Sequence, residues 1–144
     1  MVYTEQELKA IAEFAVENNL YVVSDEIYEH LIYEGKHISI ASFNDKIMAL
    51  TIVINGVSKT YAMTGWRIGY AAASPEIAKI MANIQSHASS NPNSIAQAAT
   101  LAALGGGAEE IERMNRHFNK RRDYMVEAIN EIDGVSSRMP QGAF

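Results

Sequence analysis

The sequence predicts an α/β protein with a mostly parallel sheet. Two patterns carry this prediction: an amphipathic helical segment leads directly into a short apolar run typical of a buried strand, and further runs of strand length are followed by helical segments. At 144 residues, with 48% hydrophobic and 20% charged residues, the chain has the size and composition of one globular domain with a substantial core.

The first predicted helix begins at a capping box. Thr4 occupies the N-cap position and Glu7 follows three residues later, after which apolar residues recur at helical spacing. Asn18-Asn19 suits the end of this helix. Residues 20–23 are apolar and predict a strand buried on both faces. The run stops at Ser24-Asp25-Glu26, which places Asp25 at the carboxyl end of that strand.

The remaining elements are predicted from similar patterns. Two more strands are expected at residues 48–54 and 69–73, with a polar loop over residues 34–46. A helix should open at Ser74-Pro75, where a capping residue precedes proline. After a turn at residues 89–93, an alanine-rich helix should run to about residue 104, and a long amphipathic helix should cover residues 108–132 with Gly134 as its C-cap.

Composition narrows the classes of function. The net charge of −5 argues against a general nucleic-acid surface. There is no apolar run long enough for a membrane span, and we expect no membrane partner. The absence of cysteine excludes disulfides and thiolate chemistry and fits a cytoplasmic protein. The four histidines share no metal-ligand spacing, so we expect no metal site; they are His30, His37, His87 and His117.

The stretch GVSKTYAMTGWRIG, residues 56–69, places Lys59 and Arg67 in one glycine-punctuated loop. A lysine in such a loop is most simply a surface residue of a turn. A phosphate cradle is a second reading, but the spacing of the nucleotide-binding P-loop is absent. The third is a lysine whose amine condenses with an aldehyde, which requires neighbours that lower its pKa and hold the partner.

The sequence offers such neighbours. Arg67 can fork two hydrogen bonds onto a phosphate, and Ser58 adds a hydroxyl beside Lys59. Asp25 lies at a strand end, where open α/β sheets place ligand-contacting groups, and Tyr28 carries a phenol three residues later. Amine, phosphate donors, carboxylate and phenol together match the groups of pyridoxal 5'-phosphate.

Residues 56–69 resemble the cofactor-attachment signature of the class I/II pyridoxal-phosphate aminotransferases, the aspartate aminotransferase-like family of fold type I. The matching positions are Gly56, Ser58, Lys59, Gly65, Arg67, Ile68 and Gly69. Residues 25–28 also resemble the family's Asp-Glu-x-Tyr segment. The resemblance extends over essentially the whole chain, including the closing Pro-x-Gly-Ala-Phe at residues 140–144.

The resemblance implies a role for each candidate residue. Lys59 would form the Schiff base with the cofactor and move the substrate proton. Asp25 would pair with the protonated pyridine nitrogen, and Tyr28 would donate to the ring 3'-oxygen. Arg67 and Ser58 would hold the phosphate. One position departs from the family pattern: many members carry a second serine where this chain has Gly56.

The resemblance also implies that the chain is an internal fragment of a three-layer α/β/α fold. Residues 1–133 would be the second half of the large cofactor-binding domain, and residues 134–144 would begin the connection to a small domain. The parent would be a homodimer that transfers the amino group of an L-amino acid to a 2-oxo acid by a ping-pong mechanism. The 144 residues alone would have negligible activity.

Two other functions stay open at the level of sequence. A pyridoxal-phosphate carbon–sulfur lyase would use the same loop. An aminotransferase-like sensor domain of a transcription regulator would retain the cofactor site without turnover.

Overall fold

A computed structural model describes residues 2–143 and shows, within that range, a three-stranded sheet and five α-helices. The helices are α1 (Glu5–Glu17), α2 (Asp45–Leu50), α3 (Pro75–Ser89), α4 (Ser94–Leu104) and α5 (Ala108–Asn130), and the strands are β1 (Val22–Asp25), β2 (Thr51–Gly56) and β3 (Gly69–Ala72). None of the helices in this range combines the length and hydropathy needed to cross a bilayer. Phe144, the last residue of the closing motif, lies outside the described residues.

The sheet has the order β1-β2-β3, with one parallel and one antiparallel pairing. β1 runs parallel to β2, and Asp25 is paired with Ile54. β3 runs antiparallel to β2, and Gly56 is paired with Gly69. The end of β2 and the start of β3 therefore lie at the same end of the sheet as the end of β1. This topology brings Asp25 and the loop that carries Lys59 to that end of the sheet.

The helix predicted from the capping box is confirmed. Thr4 Oγ1 accepts a hydrogen bond from Glu7 N–H at 3.3 Å, and Thr4 N–H donates to the Glu7 carboxylate at 2.7 Å. The predicted strand at residues 20–23 is wrong in both its position and its burial. Leu20 N–H still bonds back to Ala15 O at 2.9 Å and completes the end of α1, so β1 starts only at Val22.

The burial predicted for β1 also fails within the described residues, because its side chains alternate between half-buried and exposed positions. Val23 is 68% exposed. β1 is an edge strand of the sheet formed by residues 2–143, and only β2 has a neighbour on each side.

The predicted strand at residues 48–54 is wrong at its start. Residues 48–50 belong to α2, because Asn44 Oδ1 accepts hydrogen bonds from Lys46 N–H and Ile47 N–H at 3.0 and 3.2 Å and opens a helix there. The strand begins only at Thr51.

Two hydrophobic clusters support the fold. The first joins α1 to α2 and to the short 3-10 turn before it, through Ala12, Ala15, Ile40 and Ile47. The second lies beneath the lysine loop and consists of Val57, Ile68 and Ala96, with Tyr61 and Met63 packed against it. Val57 and Ile68 of the 56–69 stretch are thus packed against α4, while Ser58 and Lys59 are half-buried and Arg67 is exposed.

The segment after α5 packs back onto the chain near residue 32. Ile32 and Gly142 form an antiparallel bridge. Arg122 of α5 donates from Nη1 to Glu34 Oε1 at 3.0 Å and to Pro140 O at 2.8 Å. Residues 140–142 therefore belong to the same folded body as α5.

Candidate active site

Asp25 opens the turn that carries Tyr28. The Asp25 carboxylate accepts a hydrogen bond from Ile27 N–H at 3.2 Å, and the turn continues with Glu29 N–H donating to Glu26 O at 2.9 Å. Glu26 N–H also donates to Ile54 O at 2.8 Å, which extends the parallel pairing with β2 by one residue. Asp25 is exposed and Tyr28 is half-buried.

Lys59 lies in a tight turn directly after β2. Tyr61 N–H donates to Val57 O and Ala62 N–H donates to Lys59 O, both at 3.2 Å. Lys59 Nζ lies 5.4 Å from the centre of the Tyr28 ring, within the range of a cation–π contact. The structure thus brings the predicted attachment amine to the phenol ring that sequence reasoning assigned to the same site.

Arg67 has a left-handed backbone, with φ 56° and ψ 46°. For a residue with a side chain this conformation costs about 1–2 kcal/mol. Arg67 Nη1 donates to Thr64 O at 3.0 Å, and among residues 2–143 the guanidinium has no other protein acceptor. The side chain is exposed, so its remaining donors can contact an anionic ligand.

Three of the five candidate residues line one cavity of about 260 Å³: Asp25, Ser58 and Arg67. Asp25 also lines a second cavity of about 420 Å³, at the same end of the sheet, and Tyr28 lines this second cavity too. Lys59 lines neither cavity and is placed by its contact with Tyr28. The five residues therefore form one group, with Asp25 between the two cavities.

The donor set fits a phosphorylated pyridine aldehyde. A carboxylate can pair with a ring nitrogen, a hydroxyl and a guanidinium can hold a phosphate, and a lysine amine can bind an aldehyde. Gly56 cannot be replaced by the serine common at this position without a shift, since an added Cβ would lie 2.9 Å from Ile68 O. Ser58 is therefore the serine that this loop offers to a phosphate.

Sequence reasoning missed a buried network beside Asp25. Glu26 is only 7% exposed and accepts hydrogen bonds from the Ser39 and Ser24 hydroxyls at 2.7 and 3.0 Å. His37 Nε2 lies 2.8 Å from Glu26 Oε2. The polar atoms of Glu26, Glu29 and His37 lie within 4.8 Å of one another, and Glu26 and His37 are joined directly by that 2.8 Å contact. Neither a motif nor a spacing in the sequence pointed to it.

The network changes the pKa of both of its titratable members. Burial alone raises the pKa of Glu26, but the hydrogen bonds from His37, Ser39 and Ser24 outweigh burial and leave that pKa below its ordinary value of 4.5. The hydrogen bond to Glu26 raises the pKa of His37 above its ordinary value of 6.5, against a smaller opposing effect of burial. The pair therefore favours a carboxylate with an imidazolium.

Comparisons with known proteins cover the whole chain. A family model described as aminotransferase class I and II matches residues 1–144. Aspartate aminotransferases from Bacillus subtilis and Geobacillus stearothermophilus are 49% and 48% identical to this chain, each over 100% of the chain and 37% of the relative. The chain thus spans little more than a third of the length of the curated relatives it matches.

Solved structures give the same result for the fold. The aspartate aminotransferase from Rhizobium meliloti superposes with a TM-score of 0.95 at 40% identity, over 99% of this chain and 36% of that one. The aromatic aminotransferase from Pyrococcus horikoshii OT3 gives a TM-score of 0.94 at 40% identity, over 99% and 39%. The fold expected from the resemblance is confirmed.

Proposed function

This chain belongs to the class I and II aminotransferases, and from that premise we propose that the protein carrying it is a pyridoxal-phosphate aminotransferase. The family uses pyridoxal 5'-phosphate as its cofactor. The proposed reaction moves an amino group from an L-amino acid to a 2-oxo acid in two half-reactions. The observation that carries the proposal is the convergence of Asp25, Ser58 and Arg67 on one cavity, with Lys59 held over Tyr28 beside it.

We assign the residues the following roles. Lys59 would hold the cofactor through its amine, and Nζ would move the proton at the substrate Cα. Arg67 and Ser58 would hold the phosphate, Asp25 would pair with the ring nitrogen, and Tyr28 would donate a hydrogen bond to the ring oxygen. The bound cofactor supplies an electron sink for the charge that develops at the substrate Cα.

The remaining features of the protein are proposed on the same basis. Residues 1–133 form part of the large cofactor-binding domain, and residues 134–144 begin a connection to a small domain. The protein works as a cytoplasmic homodimer. The relatives at 47–49% identity are named aspartate aminotransferases, which makes aspartate the first amino donor to test.

The test is reduction of the full-length holoenzyme with borohydride, followed by peptide mapping. We expect the cofactor on the peptide that contains Lys59, and neither covalent label nor transamination in K59A. Lys79 on α3 is an exposed lysine away from the loop, so K79A is the matched control and should behave like the wild type. Label on a lysine other than Lys59 would reject the site assignment.

Product analysis separates the other functions. Transamination yields a new amino acid from the 2-oxo acid, whereas a carbon–sulfur lyase releases ammonia and pyruvate without an acceptor. A sensor domain would carry the label on Lys59 and catalyse neither transamination nor carbon–sulfur bond cleavage. Either of these results would replace the proposed reaction while leaving the assignment of Lys59 intact.

A further inference from the structure

Asn55 joins the two chain segments that carry the candidate site. It lies at the end of β2, is only 8% exposed, and makes two hydrogen bonds in opposite directions. Its side-chain oxygen accepts from Gly56 N–H at 2.7 Å, and its side-chain nitrogen donates to Glu29 Oε1 at 2.7 Å. The second bond crosses from the lysine segment to the turn that begins at Asp25.

The direction of both bonds is set by chemistry. A backbone N–H can only donate, so the atom of Asn55 that faces Gly56 must be the oxygen. An ionised carboxylate can only accept, so the atom that faces Glu29 must be the nitrogen. Asn55 is therefore the residue type that satisfies both neighbours at once. Aspartate would place a second carboxylate against Glu29, and leucine would leave the buried Gly56 N–H without its side-chain acceptor.

The two residues that Asn55 joins flank the Lys59–Tyr28 contact. Glu29 directly follows Tyr28 in the turn, and Gly56 lies three residues before Lys59. Lys59 Nζ lies 5.4 Å from the Tyr28 ring centre. The Tyr28 ring has few rotatable bonds, so its position relative to Lys59 follows the placement of the two backbones.

We propose that Asn55, through its hydrogen bond to Glu29, is a positioning residue that sets Lys59 against Tyr28. The inference rests on the proposed function for its link to the cofactor, but the juxtaposition itself belongs to this chain. Asn55 touches neither substrate nor cofactor in this role. Its effect is exerted through the turn at residues 26–30 and the end of β2.

The test exchanges the donor and the acceptor of the Asn55–Glu29 hydrogen bond in the full-length protein. N55D keeps the acceptor for Gly56 N–H but repels Glu29. E29Q keeps an acceptor for Asn55 and serves as the conservative control. In the double variant N55D/E29Q the introduced amide can donate to the introduced carboxylate, which restores the bond in the reverse direction. E29A removes the acceptor from the more accessible side and covers the case in which N55D does not fold.

In the holoenzyme, the readouts are kcat, KM and the midpoint of the pH-dependent colour change of the bound cofactor. N55D and E29A should lower kcat about 10- to 100-fold through misplacement of the reacting groups, and should move the midpoint by about half a pH unit or more. In E29Q and in the double variant, kcat should lie within about threefold of the wild type and the midpoint within about 0.2 pH unit of it.

In the cofactor-free protein, the readout is the rate at which a small acylating reagent labels Lys59, relative to exposed Lys79. N55D and E29A should raise the relative rate at Lys59, and the double variant should restore it. An unchanged rate and midpoint in both N55D and E29A, or a double variant no better than N55D, would overturn the inference. If the wild type carries no cofactor on Lys59, the proposed function fails, and the labelling rates still test the positioning.

Discussion

At the scale of single residues, the loop from 56 to 69 contains two positions where backbone geometry and side chain must be considered together. Gly56 is buried between Ile27 and the backbone of Ile68 and Gly69, so it leaves no space for a side chain. Arg67 has a side chain in a left-handed conformation that glycine would adopt without cost. Position 56 is glycine because packing leaves no room for a side chain. Position 67 is arginine although its left-handed backbone conformation favours glycine.

Gly56→Ala should destabilise the protein by about 1–3 kcal/mol, because the added methyl group would meet backbone atoms that cannot move independently. Gly65→Ala is the matched control, since an added Cβ at Gly65 meets nothing within 4 Å, and its effect should stay within about 0.5 kcal/mol. Chemical denaturation of both variants measures the difference. Equal free energies of unfolding would contradict the packing argument.

Arg67→Gly should be more stable than Arg67→Ala by about 1 kcal/mol, because only glycine relieves the left-handed conformation. Both variants lack the guanidinium, so both should bind the cofactor more weakly than the wild type. Thermal unfolding without cofactor gives the first comparison, and cofactor titration gives the second. If the alanine variant were the more stable, the cost assigned to the backbone would be wrong.

At the scale of elements, the sequence located the helices whose starts are marked by a local signal. α1 was predicted because Thr4 and Glu7 form a capping box. α4 was predicted as an alanine-rich segment after the turn at residues 89–93, and in the structure Asn93 caps it. The apolar run at residues 48–54 contains no boundary signal of its own. Periodicity over so few residues does not separate a buried helix from a strand, so the end of α2 was assigned to β2.

The cap of α2 is the interaction that decides this boundary. Asn44→Ala should reduce the free energy of unfolding by about 1 kcal/mol, because two N–H groups of the first turn lose their acceptor. Asn44→Asp keeps an oxygen acceptor at the same place and should remain close to the wild type. Denaturant titration compares the two, and an alanine variant as stable as the aspartate variant would count against the cap.

At the scale of the whole molecule, the candidate site depends on tertiary contacts that sequence shows only in part. Lys59, Ser58 and Arg67 share one loop and could be assigned from a local motif. The joining of that loop to Tyr28 through Asn55 and Glu29 is a contact between distant segments, and a single asparagine in an apolar run does not reveal it. The Glu26–His37 network was unpredictable for the same reason.

Stability should vary with pH through the Glu26–His37 pair. The raised pKa of His37 gives stabilisation that is complete below pH 6.5 and is lost as the pH rises through the folded-state value. The lowered pKa of Glu26 gives stabilisation that is complete above pH 4.5 and is lost as the pH falls through its folded-state value. The pair should therefore contribute most between pH 4.5 and 6.5.

His37→Gln should remove the loss of stability that the wild type shows as the pH rises above 6.5. The expected change is on the order of 0.5 kcal/mol, because solvent reaches His37 and screens the pair. Unfolding free energies of wild type and variant provide the measurement, taken from pH 4.5 to well above pH 6.5 so that the titration of His37 is covered, with exposed His87→Gln as the control. Parallel pH profiles for the wild type and H37Q would contradict this assignment.

The pairing of Gly56 with Gly69 closes the lysine loop at its base. Lys59 and Arg67 therefore lie on one loop whose two ends are held together by the pairing of β2 with β3. The number of residues between the two glycines sets where the backbones of Lys59 and Arg67 stand relative to each other. Insertions or deletions inside the loop would change that placement, whereas the same changes in the turn at residues 89–93 would leave the length of the loop unchanged.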